Sequence, residues 1–211
     1  MTKEEENPPV VVTEPEKTST SLMGKVGSMI QSLKPVSKIH LHLSGFHCYY
    51  DDTSRQLPVH HLCSHLNEDM QQCLIYDGNH DHSKLIGVEY VISERLFKTL
   101  SDEEKGYWHP HSYEVSSGLL IAPGLPYAME DKEMKFLANS YGKTWHFWQV
   151  DQGHSLPIGP AKLMNSFFKD HQLKDSLLHE RDRSENVSTQ DARQHRLGWT
   201  KSEILPNCMR W

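Results

Sequence analysis

Three histidines, two cysteines, one glutamate and two aspartates crowd the short stretch from His60 to Asp77. Neutral imidazole, thiolate and carboxylate are the donor groups that bind zinc, iron or manganese, so this composition points first to metal chemistry. His61 and His65 are four residues apart and share a face on a helix or on a strand, whereas Cys63 joins them only if the segment is extended. A second cluster runs Trp108-His109-Pro110-His111-Ser112-Tyr113-Glu114. Pro110 disfavours helix at His109, and in an extended chain His109 and His111 share a face. The expected ligand set is therefore His61, His65, His109 and His111, with Glu68 or Glu114 as the general base of a metal-assisted reaction. Such a site requires the two clusters to meet in space, which spacing alone does not show. Cys63 beside His61 and His65 is also readable as an activated thiol, but no Asn or Asp orienter is identifiable and a buried structural cysteine is the commoner case. The chain has no phosphate-binding glycine motif and no G-x-S-x-G elbow around Ser116-Ser117-Gly118.

Short strands and turns must position these residues. Lys38 to Tyr50 alternates, with Ile39, Leu41 and Leu43 on one face and His40, His42 and Ser44 on the other. Gln56 to Cys63 reads as its hairpin partner, Gln72 to Asp77 as a third strand and Leu85 to Ile92 as a mostly buried fourth. Ser93 to Leu100 is expected as a short helix. Ser101-Asp102-Glu103-Glu104 has the capping-box form of a second helix ending before Pro110. His111 to Ile121 reads as a strand, Pro126 to Tyr141 as a helix closed by Gly142, and Thr144 to Val150 as an aromatic strand. Leu22, Val26, Met29, Ile30 and Leu33 lie at helical spacing between Ser21 and Pro35, forming a helix that docks on the core or lies on a lipid surface. The expected fold is a single α+β domain with a mainly antiparallel sheet and short helices. Residues 22–165 form that domain. Residues 1–21 form a disordered tail, and residues 166–211 a polar tail, partly helical or disordered, with little fixed structure after Asp182.

Composition narrows the function classes. With 22 basic and 28 acidic residues the formal net charge is -6, which leaves no basic footprint for nucleic acid. The chain carries 15 histidines, most simply a His-rich surface. Four cysteines stand at 48, 63, 73 and 208 without a C-x-x-C pair. The first residues are acidic and Pro-rich rather than an apolar leader, and no apolar run reaches the length of a bilayer span. These features predict a cytoplasmic protein with free thiols and no transmembrane segment. The oligomeric state is not legible.

Four stretches resemble the oil body-associated protein family. They are Ser32-Leu33-Lys34-Pro35-Val36; His60-His61-Leu62-Cys63 to Asp77; Leu85-Ile86-Gly87-Val88-Glu89-Tyr90 through Trp108-His109-Pro110-His111-Ser112-Tyr113-Glu114-Val115-Ser116-Ser117-Gly118; and Tyr141-Gly142-Lys143 through Trp148-Gln149-Val150-Asp151, Leu156-Pro157 and Leu163-Met164. The likeness is in order and covers roughly residues 22–165. It implies a peripheral protein at the lipid-droplet surface, partnered with that surface or with droplet proteins, supporting droplet formation or stability and without established catalysis. His61, His65, Asn67, Glu68, His109, His111 and Glu114 belong to the shared pattern, which assigns them no role.

Overall fold

The computed structural model describes residues 13–199 and 205–209 of the 211-residue chain. The expectations for residues 1–12, 200–204 and 210–211 lie outside the described residues. The chain enters through a helix, α1 (Thr18–Ile30), and a single 3-10 turn, Val36–Lys38. Alternating residues then build β1 (Leu41–Tyr49), β2 (Gln56–Asn67), β3 (Met70–Tyr76) and β4 (Leu85–Ser93), an antiparallel meander in which every neighbour is a hairpin partner. Two short helices follow, α2 (Glu94–Phe97) and α3 (Asp102–Lys105), capped by the Ser93 and Ser101 side chains respectively.

The chain continues through β5 (His109–Pro110), α4 (Ser112–Ser117), α5 (Tyr127–Leu137), β6 (Ser140–His146) and β7 (Lys162–Asn165). β6 pairs with β4 along its whole length, and its other edge takes β5 at one end and β7 at the other. β7 pairs back to β1 through Cys48 and Tyr49, so the order β1-β2-β3-β4-β6-β7 closes on itself as a barrel. The closing seam is short, two residue pairs of β1 with β7, and an isolated bridge from Ser44 to Ile121 covers part of the remaining β1 edge. The period-2 alternation sends Leu41, Leu43, Tyr49, Leu57, Val59, Cys73, Ile75 and Val91 into the lumen, where Val115 of α4 and Met134 and Leu137 of α5 join them. The expected α+β domain with a mainly antiparallel sheet is the observed architecture.

Several expectations change. The helix expected from Pro126 to Tyr141 ends at Leu137, and Gly142 lies inside β6 instead of closing that helix. His111 to Ile121 is not a strand: Ser112–Ser117 is helical, and Ile121 makes only an isolated bridge to Ser44. The helix ends at Gly118, whose φ of +79 is the left-handed conformation that glycine adopts without strain. A methyl there would meet Thr189 O at 2.4 Å, so the same glycine admits the C-terminal segment. That segment is ordered beyond Asp182, as α6 (Asp175–Ser184) and α7 (Thr189–His195). Its anchors are two buried arginines, whose guanidinium groups donate to backbone carbonyls of β1 and of the segment around α4. Arg181 donates to Ser44 O, Gly118 O and Leu119 O, and Arg196 to Val115 O and Leu120 O while pairing with buried Glu130 at 2.9 Å. Finally, Cys63 and Cys73 are not free thiols: the β2–β3 register sets them opposite each other, Cα atoms 4.1 Å apart, and they form a disulfide. Cys48 is a buried free thiol, and Cys208 is buried with its thiol donating to Leu205 O.

Candidate metal centre

Glu89 is the middle residue of β4 and points into the lumen, 3% exposed. Isolated among apolar wall residues, a carboxylate needs compensating donors or cations. Its neighbours come from four other segments. Thr144 of β6 sits opposite it in register and donates its hydroxyl to Oε1 at 2.9 Å. β5 and the turn after it bring His109 Nε2 to 3.4 Å and His111 Nε2 to 3.3 Å from the same oxygen. β2 brings His61 Nε2 to 3.1 Å from Oε2. His61 Nε2 in turn meets His47 Nε2 of β1 at 3.2 Å, and His47 Nδ1 meets His146 Nε2 of β6 at 3.0 Å. All five histidines are buried.

Two sets of donor atoms each lie within 4.8 Å of one another, Glu89 with His109 and His111, and Glu89 with His47 and His61. Gly142 makes the first set possible. A methyl on it would stand 2.1 Å from Glu89 Oε1, 2.6 Å from His111 Nε2 and 2.9 Å from His109 Nε2. A void of about 10 Å³, the room of roughly one water, touches His47, His61, Glu89, His111 and Glu114.

Electrostatics follow from this packing. Burial alone would raise the Glu89 carboxyl, but the imidazoles of His109, His111 and His61 outweigh it and hold the group well below the usual carboxylate range. Burial works to lower His111, and Glu89 overrides it, so the net shift is upward. His47 is lowered well below the usual histidine range by burial and by the neighbouring His61 and His146, and His146 is pushed down to about 3, mainly by burial. Glu114, buried on α4, is raised by burial against the opposing pull of His111 and His109.

Of the six residues singled out by type and spacing, the structure brings together His61, His109, His111 and, on the far side of the void, Glu114. The helical turn places Glu114 three residues after His111 on the same side, where a strand would put the two on opposite faces. His65 and Glu68 do not belong. Both are exposed, and His65 pairs with Glu133 at 3.2 Å. His61 and His65 do share a face, but on an extended strand four residues span about 13 Å, too far to share one ion. Sequence reasoning missed Glu89, His47 and His146. Their signal was a single polar residue at an inward position of an otherwise apolar strand, Gly87-Glu89-Val91 and Leu43-Gly45-His47.

Comparison with known proteins places this architecture. A family model described as "Protein of unknown function (DUF1264)" matches residues 33–200, most of the chain, including α6, α7 and every residue of the cluster. Oil body-associated protein 1B of Arabidopsis thaliana is 48% identical over 196 residues, 93% of this chain and 81% of the relative. The chain belongs to the oil body-associated protein family. Oil body-associated protein 1A of Zea mays is 44% identical over 182 residues, covering 86% of this chain and 76% of that one. Oil body-associated protein 2B of Arabidopsis thaliana is 41% identical over 186 residues, 87% and 75% respectively. No solved structure gives a significant match. The family match runs past Met164, where the resemblance read from motifs had stopped.

Proposed function

We propose that this chain is a peripheral protein of the oil-body surface, lying on the cytoplasmic side of the phospholipid monolayer and supporting droplet formation or stability. The names of its relatives support the location, and one observation supports the mode. Helix α1 buries none of its residues. Leu22, Met23, Val26, Met29, Ile30 and Leu33 are all exposed, Met29 at 83% and Ile30 at 78%. A helix with a continuous bare apolar stripe is out of place in water and at home with that stripe sunk to the level of lipid headgroups.

Charge supports a lipid rather than a protein as the occupant. From Lys17 to Tyr50 the chain carries Lys17, Lys25, Lys34 and Lys38 and not one acidic residue, against a net charge of -6 overall. Basic residues beside an apolar helical face suit an anionic monolayer. The chain after α1 runs into a second apolar surface. Pro35, Val36 and Ile39 line a groove with the outward-facing Leu62, Leu74, Val88 and Tyr90 on the outer wall of β2, β3 and β4. Among the described residues no helix is long and apolar enough to cross a membrane, so attachment through this face is superficial.

Flotation with artificial oil bodies tests the reading. Triacylglycerol droplets coated with phosphatidylcholine and phosphatidylserine should carry the wild-type protein to the top of a sucrose gradient. The variant with Val26, Met29 and Ile30 all replaced by Ser should stay at the bottom. Equal flotation of both would remove α1 as the anchor, and failure of the wild type to float on any droplet composition would remove direct lipid attachment.

A further inference from the structure

We propose that the barrel lumen holds one divalent transition-metal ion of the zinc or ferrous-iron class, bound by Glu89 Oε1, His109 Nε2 and His111 Nε2. The argument begins with a single proton. The Ser140 hydroxyl donates to Leu137 O at 2.8 Å, so it has no hydrogen left for His111. The 2.9 Å contact between His111 Nδ1 and Ser140 Oγ is therefore donated by Nδ1. A neutral His111 then carries its lone pair on Nε2, and that nitrogen is aimed at Glu89 Oε1, 3.3 Å away. Two electron-rich atoms face each other in a dry interior, which holds only with positive charge between them.

His109 makes the same demand differently. It is fully buried, and neither of its ring nitrogens has a hydrogen-bond partner. Nε2 stands 3.4 Å from Oε1, close enough for attraction but off the line an N–H would take. Protonating His111 would settle one contact and leave His109 orphaned. A metal ion settles both Nε2 contacts, leaving only His109 Nδ1 without a hydrogen-bond partner. In a tetrahedral site with bonds of about 2.0–2.1 Å, neighbouring donors stand about 3.3–3.4 Å apart, which is the spacing observed for both imidazoles. The Nδ1 hydrogen bond of His111 to Ser140 is also the support that metal-bound histidines use to fix their tautomer.

The second donor set does not need an ion. With neutral rings, His47 Nδ1 donates to His146 Nε2, and the single His61 Nε2 hydrogen lies between His47 Nε2 and Glu89 Oε2, so no two lone pairs are opposed. These three histidines form a wall beside the ion rather than a second site. Two histidines and one carboxylate leave coordination positions open, and the void bordering Glu89 and His111 lies beside them. The set thus has the form of a reactive rather than a closed structural site. This reading is independent of lipid attachment, since every ligand is inside the barrel and α1 is not.

The test uses the untagged full chain, because a His-tag would supply its own ligands. Metal content by plasma mass spectrometry, as purified and after incubation with zinc, ferrous iron or cobalt(II), should approach about one equivalent. Glu89→Gln and His109→Gln should each fall below about one tenth of that, while His65→Ala keeps it. If the ligand variants fail to fold, the cobalt(II) wild type still decides. Its proton NMR spectrum should show two hyperfine-shifted exchangeable signals, the Nδ1 protons of His109 and His111. A folded wild type that takes up none of these ions would overturn the proposal. So would full metal retention in folded Glu89→Gln and His109→Gln, or a cobalt spectrum without shifted imidazole protons.

Discussion

Single residues in this protein are held by groups that tolerate no substitute. Glu130 and Arg196 are 2% and 0% exposed at their side chains and meet at 2.9 Å. Removing one partner of a buried ion pair strands the other, at a cost of about 3–5 kcal/mol. Glu130→Ala should therefore lower the urea midpoint by a large fraction of the total stability, while Lys132→Ala, exposed on the same helix, should leave it nearly unchanged. Histidines impose a pH dependence. His60 is pushed down to about 4, first by burial and then by repulsion from His42 and His61, with Arg181 adding to the effect and Asp77 opposing it. Glu185 lies 3.6 Å from its Nε2. Between pH 4 and 6.5 the unfolded chain binds this proton and the folded chain does not, so stability falls as pH drops through that window. His42, His47 and His146 shift the same way. The urea midpoint should decline between pH 7 and pH 5, and His60→Gln should decline less. At this scale the sequence was partly legible. His61, His109, His111 and Glu114 announced themselves by type and spacing. Glu89 did not, because one carboxylate inside Leu85-Ile86-Gly87-Val88-Glu89-Tyr90 shows which way it faces only once the strand's register is known.

At the scale of elements, the four-strand meander was readable because period-2 alternation and intervening turns determine hairpins locally. α4 was not. Its residues, Ser-Tyr-Glu-Val-Ser-Ser, alternate polar and apolar as a strand would, and six residues are too few to display a helical period. What makes it a helix is tertiary: Gly118 ends it in the left-handed region, and α7 packs over that end. Gly118→Ala combines two penalties, a left-handed backbone costing about 1–2 kcal/mol and a methyl 3.2 Å from Ala192 Cβ and closer still to Thr189 O. The substitution should lower the melting temperature and raise hydrogen exchange first in α6 and α7, which dock there. Exchange that rises only within α4 would mean the C-terminal helices hold without it. The same docking explains why the tail looked unstructured in sequence. Its anchors are Arg181 and Arg196, and an arginine in a polar stretch gives no hint that backbone carbonyls elsewhere in the fold await it.

At the scale of the molecule, the chain divides its tasks between a closed barrel and an outlying helix. The barrel closes through β4–β6 and β7–β1, and the buried side chains that fill it come from residues after Lys38. α1 contributes no buried residue, and methyls added at Gly24 and Gly27 would meet nothing within 4 Å. Its position therefore costs the barrel nothing to lose, and the two tasks should separate cleanly. Deleting residues 1–31 should leave the melting temperature within about 1–2 °C of the intact chain, because α1, which fills most of the described part of that segment, buries no residue. Metal content should also be unchanged, since Glu89, His109 and His111 lie wholly inside the retained part. Flotation on anionic droplets should fall sharply, leaving only the attraction of the groove beside Val36 and Tyr90. The opposite pattern is equally informative. If the truncated chain loses melting temperature by more than a few degrees, α1 has a docked state that shields its apolar stripe, and lipid binding must then compete with the barrel for the same helix. Gly24→Ala and Gly27→Ala discriminate further. Each should stabilise the helix by about 0.5–1 kcal/mol without touching the barrel, and tighter flotation in the pair would show that the helix folds as it binds.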